Sequence, residues 1–195
     1  MMHTTSILLT LLPFLSLTSP ATAAFPSLSL TNIQFSSYVL YVSPSAQGPR
    51  QGVIGFTMTN SAIEVPISCN AISYNAYALF SPTVTYECNF APAGGEEGRE
   101  DPWCYTNSAT FNLDTTKRDE KNETVYDLTV QMSWTCQDEG VYGLSAQTVL
   151  ELDCSVWACE NHMWPKYDIF SNTSTYCAPY NVSFGTGDVE VLKLE

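Results

Sequence analysis

The stretch Thr124-Val125-Tyr126-Asp127-Leu128-Thr129-Val130-Gln131-Met132-Ser133-Trp134-Thr135-Cys136 decides the fold. Tyr126, Leu128, Val130, Met132, Trp134 and Cys136 point to one side of an extended chain, and Asp127, Thr129, Gln131, Ser133 and Thr135 to the other. A period of two over this length is the signature of a strand with one buried face and one wet face. The same rhythm recurs upstream. Ile54, Phe56 and Met58 alternate with Gly55, Thr57 and Thr59, and Ile63, Val65, Ile67 and Cys69 alternate with Glu64, Pro66, Ser68 and Asn70. Pro66 lacks an N–H, which marks that strand as an edge or as locally bulged.

Further strands are expected at 28–42, 83–88, 109–113 and 144–154. The junctions carry turn chemistry: Asn60-Ser61, the charged run Lys117-Arg118-Asp119-Glu120-Lys121 inside 114–123, and Gln137-Asp138-Glu139-Gly140. Seven or more short strands at hairpin spacing, with no sustained helical repeat, predict an all-β fold, a single antiparallel β-barrel or sandwich. Residues 155–187 break the alternation. With Trp157, Trp164, Tyr167, Tyr176, Tyr180 and two cysteines, they read as an irregular C-terminal flap, and Val189, Val191 and Leu194 as a closing strand.

Ahead of the strands, the apolar run Ile7–Leu17 is followed by Ala21-Thr22-Ala23-Ala24, the small residues at which a signal peptidase cuts. A membrane anchor needs about 20 apolar residues, and this run is shorter and interrupted by Pro13 and Pro20. The expected organisation is a signal peptide at 1–24 and one secreted domain at 25–195, with a core at 28–154 and the flap at 155–195. Export to an oxidising compartment makes Cys69, Cys88, Cys104, Cys136, Cys154, Cys159 and Cys177 disulfide candidates first. The simplest count is three bridges and one odd thiol, open to an intermolecular disulfide; spacing alone does not fix the pairing. Three sequons, at Asn122, Asn172 and Asn181, are candidates for N-glycosylation.

Composition excludes some partners. Twenty Asp and Glu against seven Lys and Arg give a net charge of −13, so no basic face can form for nucleic acid or an anionic membrane. With 45% hydrophobic and 12% aromatic residues, the chain nevertheless has the apolar surface to fold.

The search for chemistry finds little. Past residue 24 the only histidine is His162, and Gly143-Leu144-Ser145-Ala146-Gln147 lacks the closing glycine of a nucleophile elbow. Cys159-Glu160-Asn161-His162 has zinc-like local spacing but no second close pair. The acidic loop around Glu96, Glu97, Glu100 and Asp101 matches no calcium-loop pattern and reads as solvated. No catalytic residue, metal ligand or cofactor is therefore expected. Lys117-Arg118 has the form of a dibasic processing site, with a charged turn as the simpler reading. Two carboxylates meeting in space would make a small hydrolase, a third option. Trp103, Trp157 and Trp164 offer aromatic area for binding, or packing over the neighbouring disulfides.

The run Gly55-Phe56-Thr57-Met58-Thr59-Asn60 leading to Cys69-Asn70-Ala71, and Trp103-Cys104 ahead of the strand at 109–113, resemble the Alternaria major allergen-like family of small secreted fungal β-barrels. The resemblance spans about residues 28–154. It implies a Cys69–Cys104 bridge, a second bridge from the later cysteines, fungal origin, and a non-enzymatic role in binding a host defence protein or a small ligand. The extra Cys88, the acidic insertion and the C-terminal flap depart from the family pattern. The sequence thus leads to a secreted, disulfide-stapled binding protein whose surface candidates are Trp103, Trp157, Trp164, Glu96, Glu97, Glu100 and Asp101. Its alternative is a carbohydrate- or cell-wall-binding module with aromatics aligned on one exposed face.

Overall fold

A computed structural model describes residues 26–63, 65–90, 104–121, 123–137, 139–166, 169–185 and 188–194. The leader, Trp103, the acidic residues Glu96, Glu97, Glu100 and Asp101, and the Asn122 sequon lie outside the described residues. Eleven strands form in chain order: β1 (Leu28–Ser43), β2 (Ala46–Asn60), β3 (Ile67–Ser73), β4 (Tyr86–Asn89), β5 (Cys104–Asp114), β6 (Tyr126–Cys136), β7 (Gly140–Leu150), β8 (Cys154–Glu160), β9 (Ser171–Cys177), β10 (Tyr180–Ser183) and β11 (Val189–Leu194). Among the described residues there is no helix.

The strands make one curled antiparallel sheet in the order β11-β7-β6-β5-β4-β3-β2-β1-β9-β8, with β10 beside β9 along β1. Alternation dictates the curl. The apolar faces of β1–β3 and β5–β7 must both leave water, and the sheet folds at β4 until they meet. Phe35 of β1 reaches Tyr126 of β6 at 4.9 Å, and Phe56 of β2 reaches Phe111 of β5 at 5.0 Å, both edge to face. In β6 the six residues read as inward line this core, five of them buried and Tyr126 half-buried.

The open end is plugged by Phe80, from the loop between β3 and β4, which is wholly buried and packs on Phe35 and Tyr86. Thr115 clamps it. The Phe80 N–H donates to Thr115 Oγ1 at 3.0 Å, while the Thr115 hydroxyl and N–H both donate to the Phe80 carbonyl. Gly52 makes room for the ring, since a Cβ there would lie 2.8 Å from Phe80 Cε2.

Three disulfides staple the sheet: Cys69–Cys88, Cys104–Cys136 and Cys154–Cys177. Each joins residues directly opposite on neighbouring strands, with Cα atoms 4.3, 4.1 and 3.9 Å apart, the close spacing of non-hydrogen-bonded antiparallel pairs. The expected Cys69–Cys104 bridge does not form. Register sets Cys69 against Cys88 and Cys104 against Cys136, so each sulfur meets its cross-strand neighbour. Cys159 is left as an exposed free thiol.

Other expectations shift at their ends. The strand expected from Ile63 begins at Ile67, just past Pro66, and the one expected from Thr83 begins at Tyr86. The expected irregular flap is more regular than its sequence suggested. Residues 155–187 supply β8, β9 and β10, which extend the sheet beyond β1, and β11 lines the opposite edge against β7.

Non-reducing peptide mapping of the folded protein should recover the three cross-strand pairs, with Cys159 alone alkylated; a Cys69–Cys104 peptide would contradict the register. Gly52→Ala should cost about 1–3 kcal/mol in urea unfolding by displacing Phe80, whereas a neutral result would remove the plug from the account.

Candidate functional site

Strand pairing sorts the side chains of the extension into two faces. Phe35, Ile54 and Cys177 point into or towards the core. Their neighbours on the ladder therefore point outwards: Ser155, Trp157 and Cys159 of β8; Asn172, Ser174 and Tyr176 of β9; Ser36, Tyr38 and Leu40 of β1; Gln51 and Val53 of β2. None of these positions holds Asp, Glu, Lys or Arg. In a chain of net charge −13 this is a neutral face, furnished with aromatic rings, hydroxyls and amides.

Three of the rings are open to solvent, and Tyr38 is half-buried. Trp157 is 69% exposed, Tyr176 61% and Tyr74, just past β3, 67%. Trp157 pairs across the ladder with Ser174, Ser174 with Tyr38, and Tyr38 with Gln51, whose Nε2 donates to the Tyr74 hydroxyl at 3.1 Å. One register row thus carries Trp157, Ser174, Tyr38 and Gln51 in order, and the Gln51 hydrogen bond continues it to Tyr74, just past the end of β3.

Of the tryptophans offered as a binding surface, Trp157 and Trp164 take different roles. Trp164 has a structural role: its indole N–H donates to the Val42 carbonyl at 3.0 Å and its ring meets Phe170 edge on, pinning the turn between β8 and β9 to the end of β1. Trp157 is presented outwards on β8, and Trp103 lies outside the described residues. Tyr38, Tyr74 and Tyr176 were not singled out as a surface by the sequence. In Tyr38-Val39-Leu40-Tyr41 both faces are apolar, so period two leaves inside and outside indistinguishable.

The sequon asparagines separate likewise. Asn172 is half-buried on the neutral face, opposite Cys159 and Leu40. Asn181 is exposed, and its Oδ1 accepts the N–H of Asn32, a residue in the left-handed region at φ 54°. A glycan would join Nδ2, the other atom, so this contact and glycosylation are compatible.

The fold also brings two carboxylates together. Asp114 and Asp127 are buried cross-strand partners on β5 and β6, beside a depression of about 180 Å³ lined by Asn112, Lys117, Thr129 and Gln147. Their bonds are scaffolding. Asp114 Oδ1 accepts from the Thr116 N–H and hydroxyl, and Asp127 binds Lys117 Nζ. Among the described residues no cluster of three or more His, Cys, Asp or Glu could hold a metal ion. A second depression of about 270 Å³ lies over the outer face of β5, β6, β7 and β11, floored by Ser133, Gly143 and Leu144.

No protein-family model, curated protein or solved structure matches the chain. The reading of the surface therefore rests on its geometry. No helix among the described residues is long and apolar enough to cross a membrane.

The Lys117–Asp127 pair gives a pH signature. The hydrogen bond and charge of Asp127 raise the Lys117 ammonium above its ordinary value. Burial raises the Tyr126 phenol, and the Arg118 charge offsets this in part. Both folded pKa values exceed their unfolded ones, so both contributions are complete below about pH 10 and are lost as pH rises through the folded values. Urea midpoints should hold from neutral pH to about 9 and fall above 10. Lys117→Met should be less stable than the parent at neutral pH, and the gap should close at alkaline pH. A gap that persists would show that Lys117 acts through something other than its charge.

Proposed function

We propose that this protein is a secreted, non-enzymatic binding module that holds an uncharged carbohydrate against the outer face of β8, β9, β1 and β2. The observation that carries this reading is the absence of charge at every outward position of that face, in a chain with 20 acidic residues. A basic protein partner would be met by carboxylates, and a phosphorylated or sulfated ligand by Arg or Lys. Aromatic rings beside hydroxyls and amides suit a molecule with flat C–H faces and a rim of hydroxyls, which is a sugar ring. Three disulfides and the leader-like run Ile7–Leu17 favour an extracellular setting.

The net charge of −13 favours a second reading, recognition of a basic host protein through acidic residues, in line with the resemblance to fungal allergen-like proteins. Salt separates the two. Complementary charges lose affinity as the Debye length shrinks, whereas stacking on a neutral face does not.

The test is retention and titration of the deglycosylated protein on neutral polysaccharides, with Asn172 cleared of any glycan that would cover the face. Affinity should change by less than about twofold between about 0.05 and 0.5 M salt. Trp157→Ala should weaken it by about tenfold or more, while its urea midpoint stays within about 0.5 kcal/mol of the parent because the ring is exposed. Binding that collapses with salt and survives Trp157→Ala would move the function to the acidic surface.

A further inference from the structure

The row Trp157, Ser174, Tyr38, Gln51 and Tyr74 sets aromatic rings on alternate strands, with a hydroxyl and an amide between them. Neighbouring strands lie about 4.8 Å apart, so successive rings are spaced by roughly 9.6 Å and the row spans about 19 Å, the four pyranose repeats that separate the first and fifth residues of an extended chain. Resting on the carbohydrate reading above, we infer that the ligand is a single extended chain of uncharged β-1,4-linked pyranose residues lying across the strands.

The linkage follows from the alternation. Bonds that are equatorial at both ends keep a pyranose chain straight and turn each residue over relative to the last, so the same face recurs at every second residue. Aromatic rings at every second strand repeat with that period. Trp157, Tyr38 and Tyr74 stack on alternate residues, and Ser174 and Gln51 meet the hydroxyl rim of those between. A coiled or branched chain presents no such period.

Sheet twist sets the physical form. Adjacent strands rotate by roughly 20–25°, so the mounts of rings two strands apart differ by about 45°. A free chain can follow this twist; the flat surface of a crystalline fibre cannot. The platform therefore selects single soluble chains over packed ones.

The experiment is calorimetric titration of the deglycosylated full chain with β-1,4-linked glucose dimer, pentamer and hexamer, and with the β-1,3-linked hexamer. Pentamer and hexamer should bind alike, and the dimer about tenfold more weakly or worse because it reaches one ring at a time. Tyr38→Ala and Tyr74→Ala should each weaken pentamer binding by about fivefold, one lost stack, with Tyr74→Phe close to the parent. A dimer as tight as the pentamer, a preference for the β-1,3 chain, or retention on crystalline cellulose without binding to soluble oligomers would overturn the extended-chain inference and leave the carbohydrate reading standing. Failure to bind any of these oligomers or any neutral polysaccharide would overturn both.

Discussion

The structure depends on the seam at β4. This four-residue strand joins the β1–β3 half of the sheet to the β5–β7 half, through only two register pairs on each side. So few backbone bonds cannot by themselves hold two half-sheets face to face. The Cys69–Cys88 bridge supplies a covalent tie at that point, closing a loop of 19 residues and contributing about 3 kcal/mol in the chain-entropy model. The Phe80 plug, emerging from the same connection, seals the space the fold leaves open. The curl of the sheet, the burial of both apolar faces and the outward orientation of everything else follow from that joint.

The two halves of the outer surface then take different characters. Over β5–β7 most outward residues are Ser, Thr, Asn and Gln, joined by Tyr105, Val141 and Val149, with Ser108 and Ser133 hydroxyls 2.7 Å apart and Asp114 and Asp127 tied into turn scaffolding. Over β8, β9 and β1 they are aromatic and uncharged. β8 has the free edge of the sheet and is almost wholly solvent-exposed, so the aromatic face is reached without any rearrangement of the core. A carbohydrate partner fits that division of labour: the interior supplies rigidity, and a pre-formed face avoids the ordering cost that a mobile loop would incur.

Much of the fold was legible because most core strands keep a clear contrast between their faces. β6 could be read residue by residue, and β2 nearly so. Pairing of the cysteines was not legible, since a bridge between directly opposed residues depends on register, and register depends on which strands become neighbours. The C-terminal strands were misread for a related reason. Val156-Trp157-Ala158 is apolar on both faces and Ser171-Asn172-Thr173-Ser174-Thr175 polar on both, so period two leaves no trace although the backbone is fully extended. Of the candidate surface, Trp157 could be anticipated as an aromatic beside cysteines; Tyr38 and Tyr74 join it only through strand order, which brings residues far apart in sequence onto one row. The acidic loop, prominent in the sequence, lies outside the described residues.

The central claim is that the neutral outer face of β8, β9, β1 and β2 is the working surface. Two-dimensional NMR of the labelled protein during titration with a soluble β-1,4-linked glucose tetramer tests it most directly. The account predicts that the Trp157 indole N–H and the backbone amides of Tyr38, Ser174 and Gln51 shift in proportion to ligand, while the indoles of buried Trp134 and pinned Trp164 stay in place. Shifts confined to the depression over β5, β6, β7 and β11, or none on the β8–β9–β1 face at saturating ligand, would contradict it.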